Sequence, residues 1–249
     1  MRIPKQLPFL LLLWSTVTLS GQSPETESIG EIGVQPIVHG TLALEYQDKT
    51  IYVDPYGGAD KFKEINAPDI VLITDIHGDH YNPETLSGLP LENATLVVPA
   101  AVAEQLSEQL QEKAIVIAND ENKTIQGIEI KAIPMYNLPE TEESRHPKGR
   151  GNGYILTLGE QKVYISGDTE DIPEMRALKD IDIAFVCMNM PYTMTVDQAA
   201  SAVNEFKPGI VYPYHYRGRP EMSDTEKFKA LVEEKNDVTE VRLRNWYQE

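Results

Sequence analysis

Apolar residues along this chain come in short, strand-length runs, several of which end in a turn former or a carboxylate. Residues 37–45 and 50–54 flank Tyr46-Gln47-Asp48-Lys49 and predict a hairpin, which Asp54-Pro55-Tyr56-Gly57-Gly58 then breaks. Further strands are expected over 69–74, 95–99, 114–118 and 128–135, with apolar residues at helical spacing over 101–113. A second hairpin, 154–158 and 162–166 around Gly159-Glu160-Gln161, leads into Gly167-Asp168-Thr169. Strands over 181–187, 210–214 and 238–243 then alternate with two helices. Thr195-Val196-Asp197-Gln198 has the capping-box pattern that opens the first, ending at Phe206, and the pattern from Ser223 to Glu226 opens the second. The long polar segment 136–152 has no clear periodicity, and long loops of that kind are often functional. Two similar halves, each starting with a hairpin, predict an α/β (α+β) fold of two packed sheets with helices outside.

The beginning of the chain follows a different pattern. Arg2 and Lys5 precede a leucine-rich stretch over 7–19, followed by Ser20, Gly21 and Gln22, which predicts a secretory signal peptide over 1–21. With Pro8 inside it and Ser15, Thr16 and Thr18 near its end, the stretch falls short of the roughly 20 apolar residues of a spanning helix. The expectation is an exported protein, periplasmic or extracellular, without stable membrane insertion after signal removal. A polar linker over 22–30 would then lead to one domain over 31–249. A formal net charge of −17 argues against nucleic acid or an anionic membrane as partner and favours a small-molecule substrate. Cys187 is the only cysteine, so no internal disulfide forms, and its apolar surroundings predict a packed strand residue.

The apolar run that ends at Thr74 stops in Asp75, His77, Asp79 and His80, four ligand-type side chains within six positions. As a plain turn they would repel or stay unsatisfied, whereas together they suit divalent cations. Three other expected strands are followed by loops carrying His146, Asp168 and His215, and ligands in layered α/β proteins gather beyond strand ends. His39 reads either as a donor lining such a cleft or as a turn residue, and is not placed among the ligands. Asp54 reads as a turn former before Pro55 or as support for a ligand.

Those motifs resemble the metallo-β-lactamase-fold hydrolases: Thr74-Asp75-Ile76-His77-Gly78-Asp79-His80, then His146, Gly167-Asp168-Thr169, and Tyr212-Pro213-Tyr214-His215-Tyr216. Pro36-Ile37-Val38-His39 and Asp54-Pro55 add a similarity to the branch that contains ascorbate-phosphate lactonase. The resemblance implies a four-layer αββα sandwich with two divalent ions in a cleft at one edge of the sheets. One ion would be held by Asp75, His77 and His146 and the other by Asp79, His80 and His215, with Asp168 bridging. Asp75 stands where the family usually has histidine. A hard oxygen donor there leaves manganese and iron as alternatives to zinc and implies a weaker first site. The implied activity is metal-dependent hydrolysis, in which water activated between the cations attacks an ester-type bond of a small molecule. A lactone or phosphate ester is expected before a β-lactam or thioester. Asp79 and Asp168 would be the catalytic residues, orienting the water or carrying its proton. Tyr214, Tyr216, Arg217 and Lys148 are further candidates to bind a substrate oxygen or carboxylate. The alternative is a non-catalytic metal- or ligand-binding protein that keeps the fold.

Overall fold

The computed structural model describes residues 26–247, so the expected signal peptide lies outside the described residues. Seven strands run in sequential order through the first sheet: β1 (Glu27–Ile29), β2 (Ile32–Val38), β3 (Thr41–Tyr46), β4 (Lys49–Val53), β5 (Ile70–Leu72), β6 (Thr95–Val98) and β7 (Ala114–Val116). The first four pair antiparallel and β4 to β7 pair parallel. The second half repeats the plan with β8 (Asn122–Ile125), β9 (Ile128–Met135), β10 (Gly151–Leu158), β11 (Gln161–Ile165), β12 (Ile183–Cys187), β13 (Ile210–Tyr214) and β14 (Glu240–Val241). Here β8 to β11 are antiparallel and β11 to β14 parallel.

The period-two alternation sorts side chains onto the two faces of the first sheet. Leu42, Leu44, Ile51, Val53, Ile70 and Leu72 enter the large core shared with the second sheet. Ala43, Tyr52 and Val71 point the other way, onto Leu86 of helix α1 (Pro83–Gly88) and Val102 of α2 (Ala100–Ala103). Against the second sheet lie α4 (Pro173–Arg176), α5 (Val196–Phe206) and α6 (Thr225–Glu233), with Phe206 edge-on to Tyr164 of β11 at 6.1 Å. The result is helix, sheet, sheet, helix. Capping works as expected in α5, where Thr195 and Gln198 form the reciprocal box.

Several elements differ from the sequence expectations. The expected strand 37–45 is two strands, because His39 adopts a left-handed φ of 56° and turns the chain with Gly40. The helix expected over 101–113 is two short ones, α2 and α3 (Glu108–Gln111), the second opened by Ser107. Residues 27–29, expected in a linker, form β1, where Glu27 is held by Arg242 and Arg244 at 2.7 Å each. Asp224, not Ser223, caps α6 by accepting from Lys227 N. Fully buried Trp246 closes one side of the core. Its Nε1 donates to Thr41 O at 3.1 Å and its ring meets Phe185, Tyr212 and Tyr214 edge-on.

Candidate metal centre

Parallel strands deliver most of the ligand-type residues from their carboxyl ends. Beyond β5, Thr74 gives both its N–H and its hydroxyl to the two Asp54 oxygens, at 2.7 and 2.6 Å. Asp54 itself follows β4 with a left-handed φ of 45°, and it also accepts from His80 Nδ1 at 2.8 Å. The turn 77–81 closes when His80 N and Tyr81 N donate to His77 O, which aims His80 inward. In the loop after β9, Asn137 Oδ1 accepts from His146 Nδ1 at 3.0 Å. These bonds leave the Nε2 atoms of His80 and His146 facing the centre.

Two close approaches rely on glycine. Gly167 sits at φ +61°, and a Cβ there would lie 2.6 Å from Met135 Sδ, so only glycine lets Asp168 follow β11 so tightly. A Cβ on Gly40 would stand 2.9 Å from His215 Cδ2. His215, with φ 48°, donates its N–H to His39 O at 3.1 Å, so the two turns brace one another.

Asp75, His77 and His146 come together, with one ligand atom from each lying within 4.8 Å of the others, and so do His80, Asp168 and His215. Asp168 stands between the two groups. Its Oδ2 is 3.2 Å from His146 Nε2 and 3.3 Å from His80 Nε2, while Oδ1 is 3.2 Å from His215 Nε2. Asp79 lies farther from His80, at 4.0 Å, than the expected ligand set implies. It faces His215 at 3.6 Å and His39 at 3.0 Å. His39, Asp79 and His215 form a third group close enough to share an ion. Proton counting gives His39 a different role. Its Nε2–H donates to Asp79 Oδ2, so Nδ1 must accept, and the Tyr247 hydroxyl, 2.6 Å away, supplies that proton.

The donor set suits cations. His146 Nε2 and Asp168 Oδ1 are buried without a hydrogen-bond partner among the described residues. His80 and His215 turn their Nε2 atoms toward each other at 3.1 Å with Asp168 beside both, so that in place of an ion only a second proton on His80 can join them. Inward lone pairs without enough protons to join them are what a divalent ion satisfies.

Burial dominates each pKa here and is then offset by neighbours. It would raise Asp75, but His77, His80 and Arg150 outweigh it and hold the carboxyl at about 2. Asp79 and Asp168 are likewise held below the carboxylate range by surrounding histidines. Burial lowers His215 to about 3 and also lowers His39. His80 is the exception, since Asp168 and Asp54 overcome burial and lift it well above 6.5.

Arg150, which sequence reasoning missed, grips Asp75 with two hydrogen bonds, Nε to Oδ1 at 3.1 Å and Nη2 to Oδ2 at 3.0 Å. Asn137 and Tyr247 were missed too, with no sequence pattern to mark them. Tyr214 and Tyr216 are turned to structure, accepting from Gly167 N and donating to Arg244 O. Lys148 pairs with Glu174 at 2.8 Å, outside the cleft lining, while Arg217 does line the cleft.

Residues 34–215, a span holding every ligand-type side chain described above, match the family model of the β-lactamase superfamily domain. The chain belongs to the β-lactamase superfamily, among its metal-dependent hydrolases. It is 31% identical over 209 residues to a UPF0173 metal-dependent hydrolase of Staphylococcus carnosus, covering 78% of this chain and 90% of that one. A solved structure assigned as a metal-dependent hydrolase of Parabacteroides distasonis is 38% identical, with 87% and 94% of the two chains covered and a TM-score of 0.76. A metallo hydrolase of Ignicoccus hospitalis shares the fold at 21% identity and a TM-score of 0.73, over 87% of this chain and 96% of that one.

Proposed function

We propose that this superfamily member hydrolyses an ester-type bond of a small molecule, a lactone or phosphate ester, using two divalent ions, zinc first among them. The observation that carries the reading is the set of inward, unpartnered donors around Asp168. Asp75, His77 and His146 would hold one ion and His80, His215 and Asp79 the other, with Asp168 between them. The oxygen-rich first set also suits manganese or iron. Bound there, the ions would supply Lewis-acid polarisation of the scissile bond and activation of water.

The chain's own groups position and move protons. Asp79, part exposed at the cleft floor, takes the proton of the attacking water on Oδ1 and passes it to the leaving oxygen. His39 orients it by donating to Oδ2, and Tyr247 fixes the His39 tautomer. Asp54 and Asn137 do the same for His80 and His146.

The decisive experiment loads the purified chain in turn with zinc, manganese and iron. Each form is assayed on lactones, phosphodiesters, thioesters and β-lactams. Turnover of a lactone or phosphate ester is expected, abolished by His77→Ala and by Asp168→Ala with the fold retained. Ligand binding without turnover under any metal would leave a binding protein instead. Export is part of the proposal, resting on the 1–21 pattern, and N-terminal sequencing of protein from its native host should begin near Gln22. A start at Met1 overturns it. Among the described residues no helix is long and apolar enough to cross a membrane.

A further inference from the structure

The cleft above the ligand cluster has a cationic rim without acidic partners. Seven arginines fall among the described residues. Arg150, Arg176, Arg242 and Arg244 each pair with a carboxylate. The three that form no ion pair among the described residues, Arg145, Arg217 and Arg219, all line one cavity of about 340 Å³ whose floor includes Asp79 and Asp168. In a chain with 39 acidic residues against 22 lysines and arginines, carboxylate partners are plentiful, so this grouping calls for a cause. The three come from different loops. Arg145 precedes β10 and lies 4.3 Å from the Tyr192 ring, Arg217 follows β13 and lies 5.8 Å from the Tyr247 ring, and Arg219 N donates to Met190 O at 2.9 Å. Ring faces steady a guanidinium without spending its N–H donors, which stay free for a ligand.

Three guanidiniums at one rim, none within ion-pair distance of Asp79 or Asp168 at the floor, favour an anion held between them. We propose that the substrate carries an oxyanion, a phosphate or a carboxylate, gripped by Arg145, Arg217 and Arg219 while the bond to be cut lies over Asp79 and Asp168. Which bond is cut rests on the hydrolase reading above. Anion capture at the rim does not.

The test is calorimetric titration of the zinc-loaded chain with methyl phosphate, with succinate and with neutral dimethyl succinate. Parallel titrations use Arg145→Gln/Arg217→Gln/Arg219→Gln, its three single variants, and Lys227→Gln, whose cation is engaged by Asp197 outside the cleft. The triple variant should bind the preferred anion at least about ten-fold more weakly, and each single variant about three-fold more weakly. Zinc content should stay unchanged, Lys227→Gln should match the parent, and added salt should weaken binding. Tighter binding of methyl phosphate assigns a phosphate substrate, and tighter binding of succinate a carboxylate. Should the triple variant misfold, the single variants decide. Anion affinities within two-fold of the parent in all arginine variants, no anion binding by the parent, or dimethyl succinate binding as tightly as succinate overturns the proposal. Loss of anion binding in a chain that turns over nothing would refute the hydrolase reading and leave this one standing.

Discussion

Replacing Arg150 by methionine tests how this chain accommodates Asp75 where the family resemblance implies a histidine. The Asp75 and Arg150 side chains meet through two hydrogen bonds of 3.1 and 3.0 Å, with Asp75 fully buried and Arg150 one-fifth exposed. A carboxylate brings one negative charge and the guanidinium returns one positive charge, so the pair presents the same net charge as a neutral imidazole. Removing one partner of such a bidentate, largely buried pair costs about 3 kcal/mol. The depressed pKa of Asp75 sums the effect of all its neighbours, of which Arg150 is one. Holding it at about 2 against an ordinary 3.8 corresponds to about 2 kcal/mol, to which Arg150 contributes after His77 and His80. In a chain of this size that loss lowers Tm by about 6–12 °C in chelator. Zinc should narrow the gap, because an ion at Asp75 takes over the charge balance. The sign with pH is fixed by a depressed pKa: this stability is fully present above about 4 and is lost as pH falls from there through about 2. Differential scanning calorimetry of the parent, Arg150→Met, Asp75→His and the double variant measures these terms of a mutant cycle, which should show a coupling of about 2 kcal/mol. A chelated Arg150→Met protein melting within 2 °C of the parent, or a coupling near zero, refutes the compensation argument.

Gly40→Ala should lower kcat by about ten- to a hundred-fold while shifting stability by about 1 kcal/mol, since its methyl would meet His215 Cδ2 at 2.9 Å. Steady-state kinetics beside a melting curve checks it, and unchanged kcat would show that His215 has room to yield. Zinc affinity should fall about ten-fold per pH unit below neutrality, because His80 binds its proton well above 6.5 between Asp54 and Asp168 and must release it to an ion. Competition titrations from pH 6 to 8, with proton release followed in weak buffer, measure this, and a flat profile would contradict it.

The convergence of residues 75–80 on the cluster was legible because a buried apolar run there ends in four ligand-type residues in six positions. Asp168 and His215 were legible as carboxylate and imidazole at the ends of well-patterned strands. The His39-Gly40 turn was not, since both flanks read as one apolar strand and nothing in hydrophobic pattern reports a left-handed histidine. That hidden turn brings His39 to Asp79, a contact sequence reasoning left open between cleft and turn. Arg150 and Tyr247 act across separations of 75 and 208 residues, where local pattern carries no information. Strand β1 escaped for the same reason, as its Glu27 is held by arginines more than two hundred residues away.

Trp246 carries a practical consequence. The chain has two tryptophans, and the other, Trp14, lies in the stretch expected to be removed on export. Tryptophan emission from the processed protein would then come from Trp246 alone, whose backbone carbonyl accepts from His39 N and whose ring rests on Tyr214, next to His215. An unlabelled, native fluorophore is therefore built beside the candidate metal centre, where its intensity and wavelength should report ion loading and cleft filling.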